Sequence, residues 1–296
     1  MTRILVIGAG QLGLAILKGL SSHPSKPTLT VLLRPSTFPT RQELLGTLDS
    51  LQVSVHLADV TQADLPTQLG GYDIVISATG FAGGPGTQRH ICQSALQAHV
   101  PWFIPWQFGV DYDKIGRGSS QPLFDEQLDV RDMLRGQSTT RWTIISTGIF
   151  TSFLFDPAFG VIHRKGHGQV VVNALGKWEN RVTMTSAEDI GRLTAAIVCD
   201  DTSGQSEVIY VAGETASFDG LADKLQASGW EVERKLTTVD ELVQARREHP
   251  EDLGPKYQLI WARNVGVSWD FADTWNARNG IPVQGLDDWI DRNFRP

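Results

Sequence analysis

The chain opens MTRILVIGAGQLG, and the six residues GAGQLG (8–13) constrain its fold more than any other stretch. On its own, GxGxxG is a weak pattern. Here the apolar run ILVI (4–7) reads as a strand directly before it and LGLAILKGLSS continues it as a helix, the strand–turn–helix context that makes the pattern specific. Gly8 permits the tight turn, Gly10 lets the backbone approach a pyrophosphate, and Gly13 lets helix and strand pack closely. Gln11 and Leu12 fall in the first helical turn, where unpaired N–H groups and a partial positive charge favour phosphate. The opening therefore predicts a dinucleotide-binding βα unit.

The first half repeats that rhythm. TLTVLL (28–33), VSVHL (53–57), DIVISAT (73–79), PWFIP (101–105) and TRWTIIST (140–147) are short runs with β-branched and aromatic residues, and helical patterns separate them. Strands of this length alternating with helices imply βαβ units and a parallel sheet. The fold class expected is α/β, a Rossmann-type doubly wound parallel sheet with a smaller carboxyl-terminal substrate lobe. Past residue 150 the rhythm changes, so the chain divides into 1–150, the dinucleotide-binding domain, and 151–296, the lobe. A strand near 206–213 is placed to return to the main sheet. GQVVVNALGKWENRVTMT reads as two strands around a glycine turn, and TSAE (185–188) reads as a capping box in which Thr185 accepts from the helix backbone and Glu188 reaches back.

Composition bounds the partners. Lys and Arg number 26 against 33 Asp and Glu, a net charge of −7, which gives no basic field for a nucleic acid backbone. The apolar stretch before the glycine loop is too short for a signal peptide or a membrane span, so a cytoplasmic protein with no membrane or nucleic acid partner is expected. Cys92 and Cys199 lack CxxC spacing and read as two buried thiols.

The choice of dinucleotide is read at the end of the second strand. An acid there would bind the ribose 2′-hydroxyl and repel a 2′-phosphate. This chain has LLRPST. The planar guanidinium of Arg34 can stack on adenine while pairing with a phosphate, with Ser36, Thr37 and Arg41 as further donors, so the cofactor expected is NADP(H). Asp59, after the third strand, is placed to accept from the adenine amino group. Ala78, Thr79, Gly80 and Phe81, after the fourth, are placed to let the backbone pass beside the cofactor's ribose.

Catalytic devices are mostly missing. The residues four beyond Tyr72, Tyr112, Tyr210 and Tyr257 are Ile76, Gly116, Glu214 and Trp261, so the Tyr–Lys pair of common short-chain dehydrogenases is absent. HExxH, paired histidines, a Cys cluster and GxSxG are absent too, and no metal is expected.

GAGQLG, RPST, VISATG, FIPWQFGVD and FDEQLDVR, followed by GIFTSFL and AEDIGRL, together resemble the NmrA-like and isoflavone-reductase-like branch of atypical short-chain dehydrogenases over roughly residues 4–200. The resemblance implies that PWQFG (105–109), like PSEFG in that family, lines the nicotinamide side through Trp106, Gln107 and Phe108. It also implies that a helix carries an FxxKxxxR pattern whose lysine transfers the proton and whose arginine lies near the cofactor. Phe124 and Arg131 match that pattern. The lysine position is Gln127, and the family's glutamate is Gln107.

An amide has no useful ionisation and only donates or accepts hydrogen bonds. Three outcomes follow. Tyr112, Lys114 or Arg117, in the loop VDYDKIGRG, takes over the proton; or the substrate is activated enough to need little acid help; or the fold binds NADP and acts as a sensor. The resemblance implies an NADPH-dependent reductase of an aromatic or heterocyclic small molecule in specialised metabolism, working as a monomer or homodimer. The alternatives are a cyclase or rearrangement enzyme without net redox, and a non-catalytic NADP sensor. Trp178, Trp230, Trp261, Trp269, Trp275 and Trp289 are available to wall a pocket for a flat substrate.

Overall fold

The computed structural model describes all residues except 38–40, 81–82 and 202, together with the side chain of Thr37. In chain order the first elements are β1 (Arg3–Ile7), α1 (Gln11–Ser22), β2 (Thr28–Leu33), α2 (Gln42–Ser50), β3 (Ser54–Leu57), α3 (Leu65–Leu69), β4 (Ile74–Ser77), α4 (Thr87–Gln97) and β5 (Trp102–Ile104). There follow α5 (Tyr112–Ile115), α6 (Leu123–Arg135), β6 (Arg141–Ser146), β7 (Ile149–Phe150), α7 (Thr151–Leu154), β8 (Ile162–Gly166), β9 (Gln169–Leu175), β10 (Arg181–Thr185) and α8 (Ala187–Asp200). The chain closes with β11 (Glu207–Tyr210), β12 (Glu214–Ser217), α9 (Phe218–Ala227), β13 (Glu231–Thr237), α10 (Val239–Glu248), α11 (Leu253–Ala262), α12 (Trp275–Arg278) and α13 (Leu286–Asn293).

Two compact units form, one from residues 1–108, 126–145 and 187–209, the other from 109–125, 146–186 and 210–296. They interleave along the chain, where the sequence reading placed one boundary after residue 150. The sheet of the first unit has the order β11-β6-β5-β4-β1-β2-β3 among the described residues, and every pair from β3 to β6 is parallel. The expected return strand is β11, beside β6. In β1, Ile4 to Ile7 are all buried, and so is the whole of β4. Strands covered by helices on both faces lose the polar alternation of a one-faced sheet. One core, from Leu5, Ile7 and Val75 through Ile91, Phe103, Val130 and Ile144, fills one side of this sheet.

Helix α8 belongs to this unit because it packs on α1 at two glycines. A Cβ on Gly19 would lie 2.4 Å from the Gly191 carbonyl oxygen, and one on Gly191 would lie 2.1 Å from that of Ala15. Backbone meets backbone there, and no larger residue fits.

The second unit carries two three-stranded sheets among its described residues, β12-β10-β7 and β13-β9-β8. The two strands read around a glycine turn are β9 and β10. They enter different sheets, separated at Gly176 (φ +82°), whose Cβ would collide with the Ala262 carbonyl at 2.3 Å. The capping box at TSAE does not form. Thr185 is the last residue of β10, and its hydroxyl donates to the Thr147 carbonyl at 2.6 Å; Ser186, not Thr185, precedes the helix. The tryptophans of this unit are largely committed to its own packing. Trp230 stacks on Phe294 at 4.9 Å and Trp289 packs tilted against Phe155 at 4.5 Å, while the Trp269 indole donates to the Val211 carbonyl at 3.2 Å.

Candidate functional site

In the first unit the loops after β1 to β5 emerge at the carboxyl ends of a parallel sheet, where ligands bind in open α/β folds. The loop after β1 is held at Gly8 (φ +96°), whose N–H donates to the Leu32 carbonyl at 3.0 Å. Gly13 lies so near that a Cβ on it would be 2.1 Å from the Gly8 carbonyl oxygen, whereas a Cβ on Gly10 would meet nothing within 4 Å. Gly13 therefore fixes how the helix crosses the loop, and Gly10 keeps a cradle open. Gly10 is the N-cap of α1 and, being glycine, brings no side chain to cap that helix start. Gln11 is exposed and the Leu12 side chain turns into the core, so the first turn offers its backbone.

After β2, Arg34 and Ser36 are exposed, and Pro35–Thr37 make a turn of 3-10 helix. Arg41 stands at the start of α2 and, with Leu14 and Thr47, lines a hollow of about 430 Å³. Asp59 closes a turn by accepting from the Thr61 N–H at 2.9 Å and the Thr61 hydroxyl at 2.8 Å. Those bonds, chiefly the backbone one, hold its carboxyl below the usual aspartate value, and the nearby Arg34 guanidinium adds to the effect.

The loops after β4 and β5 are tied to α6. Ala78 is buried; Thr79 and Gly80 are braced by Gln88, whose side-chain N–H reaches the Thr79 hydroxyl at 3.1 Å and the Gly80 carbonyl at 2.5 Å. Phe81 lies outside the described residues. Gln88 is itself anchored, because Glu126 of α6 accepts the N–H groups of Gly86, Gln88 and Arg89 at 2.8, 2.8 and 3.2 Å. A carboxylate at a helix amino terminus meets unsatisfied donors and the positive end of the dipole. Trp106 borders Gly80, since a Cβ there would touch the indole at 3.9 Å, and Phe108 is buried.

Gln107, Gln127 and Arg131 are all fully buried. The Gln107 carbonyl oxygen accepts from Arg131 Nε at 2.7 Å, and its amide donates to the Gln127 backbone carbonyl at 2.8 Å. Among the described residues the side-chain amide of Gln127 finds no hydrogen-bond partner at either Oε1 or Nε2. A buried polar group left unsatisfied costs about 1–3 kcal/mol, so two on one side chain need a physical account.

The other candidate proton donors lie in the second unit. Tyr112 is buried, with Phe124 edge-on at 5.0 Å. Lys114 is 3.5 Å from Asp111, whose carboxylate also accepts the Tyr210 hydroxyl at 2.8 Å. Arg117 reaches the Asp125 carbonyl at 3.5 Å. Each is engaged within its own unit, and no described bond draws the three together.

Sequence reasoning missed Gln88 and Glu126. The signal available was an acid, Glu126, beside the singled-out Gln127, in a chain where Gly86 precedes a helix. Cys92 is buried, which pushes its thiol up to about 12, and burial also raises Cys199. Among the described residues no group of three or more His, Cys, Asp or Glu is placed to hold a metal ion, and no helix is long and apolar enough to cross a membrane.

Comparison with known proteins agrees with this architecture. The sequence matches the NmrA-like family over residues 1–258. It is 39% identical to an NmrA-like family domain-containing oxidoreductase of Gibberella moniliformis, across 97% of this chain and 96% of that protein. It is 24% identical to the phenylcoumaran benzylic ether reductase POP1 of Populus trichocarpa, across 83% and 82%. In fold it is similar to the solved structure of AtPrR2 with NADP+ and (+)pinoresinol, with a TM-score of 0.78 over 98% of each chain at 17% identity.

Proposed function

The chain belongs to the NmrA-like family, and we propose that it is an NADPH-dependent reductase of an aromatic or heterocyclic small molecule, serving specialised metabolism. The observation that carries the cofactor part is the contrast at the glycine loop, where Gly13 has no room for a Cβ and Gly10 faces open space. A loop of that shape at the uncapped start of α1 fits a pyrophosphate, held by the backbone N–H groups that begin at Gly10. Arg34, with Ser36, Thr37 and Arg41 beside it, takes the 2′-phosphate, and Asp59 meets the adenine. Ala78, Thr79, Gly80 and Phe81 pass the ribose. The nicotinamide would lie along Thr79, Gly80 and Trp106; Gln107 and Phe108 are buried and would support that wall without touching the ring. Bound there, the cofactor supplies a hydride from C4.

The chain's own residues orient the reactants and move no proton at position 127. Arg131 is tied to the Gln107 side chain, Glu126 is occupied by three N–H groups, and the Gln127 amide can only hydrogen-bond. The aromatic substrate class is supported by relatives named as reductases of such compounds. That amide also favours a second reading, in which NADPH is retained and the product is a cyclised or rearranged isomer with no net redox.

The test is calorimetry with NADPH and NADH, followed by incubation with flat aromatic ketones, quinones and benzylic ethers while the absorbance of reduced nicotinamide is followed. The proposal expects NADPH to bind more tightly than NADH and to be consumed in step with product. Product without consumption would establish the second reading, and no heat with either nucleotide would end both.

A further inference from the structure

The loop after β4 carries a hydroxyl whose hydrogen-bonding sense is set by its surroundings. The Gln88 side chain, itself buried, brings its amide nitrogen to 2.5 Å from the Gly80 carbonyl oxygen and 3.1 Å from Thr79 Oγ1. A carbonyl only accepts, so the end of the amide that faces it is the NH2 group, and the second N–H of that group is the one that meets Thr79. Ser77, at the end of β4, is fully buried, and its Oγ lies 3.5 Å from Thr79 Oγ1 with no other side-chain bond among the described residues. Were Thr79 the donor in that contact, the Ser77 proton would be left unpaired in the interior, which folded proteins avoid. Ser77 therefore donates. Thr79 Oγ1 then accepts from both Gln88 and Ser77, which uses its two lone pairs. Its own proton finds no acceptor among the described residues, and Thr79 is only half-buried, at the carboxyl end of a parallel sheet where ligands bind.

We propose that Thr79 acts as a donor-only contact for an acceptor oxygen on the nicotinamide side of the bound reactants. A hydroxyl in water donates and accepts alike; this one can only donate. It suits a carbonyl, quinone or ether oxygen and offers nothing to a ligand group that must itself donate. The inference rests on the reading that the first unit binds NADPH, and two oxygens share the required chemistry. One is the carboxamide oxygen of the nicotinamide; the other is a carbonyl-type oxygen of the substrate. In the second case Thr79 supplies the hydrogen bond that Gln127, enclosed by protein, does not reach out to make, and it transfers no proton. Gln88 is then a positioning residue that aims the hydroxyl, with Glu126 holding the start of its helix.

The experiment compares wild type with Thr79→Val, which keeps the shape and drops the hydroxyl, Thr79→Ser, which keeps the hydroxyl, and Gln88→Met, which removes the aiming amide and leaves Thr79 in place. Thermal melting first verifies that each variant folds; should Thr79→Val fail, Gln88→Met carries the same readout. In the cofactor arm, calorimetry compares NADPH with its reduced thionicotinamide analogue, whose sulfur is a weaker acceptor than oxygen. If the carboxamide is the acceptor, wild type and Thr79→Ser prefer NADPH by about threefold to tenfold, and Thr79→Val and Gln88→Met lose most of that preference. In the substrate arm, 4-chromanone and chroman, which differ in one carbonyl, are titrated into protein saturated with NADP+. If a substrate oxygen is the acceptor, the chromanone preference of wild type and Thr79→Ser is of the same size and disappears in Thr79→Val and Gln88→Met.

No preference in either arm, or preferences that survive Thr79→Val, would overturn the proposal; a preference lost in Thr79→Val and intact in Gln88→Met would overturn the aiming role of Gln88. These failures are distinct from failure of the cofactor reading. A protein that binds NADPH and its thio analogue equally, and chromanone no better than chroman, keeps the cofactor reading and loses this inference, whereas no heat with NADPH removes both.

Discussion

The side-chain carbonyl of Gln107 accepts the Nε–H of Arg131 at 2.7 Å, and neither residue is exposed to solvent. A guanidinium taken out of water is tolerable only where hydrogen bonds replace its hydration. Gln107 meets part of that need and ties the loop after β5 to α6 through its second bond, to the Gln127 carbonyl. A glutamate would improve the first bond and ruin the second, because a carboxylate cannot donate to a carbonyl.

Replacing Gln107 by Leu should therefore cost about 1.5–3 kcal/mol of stability, the range for a hydrogen bond to a charged group. Urea denaturation measures this directly. A loss below about 0.5 kcal/mol, the level of a neutral surface change, would mean that Arg131 does not depend on Gln107. Gln107→Glu should fall between wild type and the leucine variant.

The glycine loop separates stability from binding. In Gly13→Ala the new Cβ would overlap the Gly8 carbonyl, at 2.1 Å, so the protein should melt far below wild type and recover little NADPH affinity. Gly10→Ala should melt like wild type, since its Cβ meets nothing within 4 Å and its φ of −76° suits alanine. Its NADPH affinity should drop by about tenfold or more, because the methyl group occupies the space that the pyrophosphate needs. Equal affinities for wild type and Gly10→Ala would remove the phosphate from this loop.

Arg34 tests which nucleotide is bound. Removing a charge-assisted contact to the 2′-phosphate should cost about 1.5–3 kcal/mol, more than tenfold in affinity. Arg34→Ala should thus weaken NADPH by at least that factor and leave NADH nearly unchanged in the same calorimeter. Parallel losses for both would place Arg34 elsewhere on the cofactor or off it.

Local patterns were legible where the backbone decides and illegible where tertiary partners do. The strand–glycine–helix opening dictates its own geometry, so Gly8, Gly10 and Gly13 could be assigned separate roles before any coordinates. TxxE occurs at both 185–188 and 238–241. The second forms a capping box on α10, while the first does not, because pairing with Phe150 of β7 keeps Thr185 in β10 and its hydroxyl finds Thr147 instead. The helix carrying Gly191 was assigned by sequence order to the carboxyl-terminal lobe. It packs in the first unit because its glycine admits the backbone of α1, a complementarity between residues far apart in the chain. The same holds for Glu126 and Gln88, whose clamp on Thr79 and Gly80 depends on the start of α4 meeting Glu126 of α6. Gln127 could be singled out from sequence, but its two orphaned atoms required the surrounding packing to be known.

Cys92 gives the fold a dependence on alkaline pH. Burial in the core beside Ile91 and Ala95 disfavours the thiolate and pushes the thiol up to about 12 from an ordinary value of 9.0. Between those values the unfolded chain releases the proton and the folded chain keeps it. The folded state then binds more protons, so its stability falls as pH rises. The loss begins near pH 9 and ends near pH 12, with a limiting slope of about 1.4 kcal/mol per pH unit from this one group. Lysines and tyrosines titrate in the same range, so the informative quantity is the difference between wild type and Cys92→Ala in urea melts at pH 8 and at about pH 10.5. The alanine variant should lose less stability over that interval, and native Cys92 should resist alkylation at pH 8 while urea-unfolded protein reacts. Equal slopes for the two proteins, or rapid native labelling of Cys92, would show that the thiol is not held in the core.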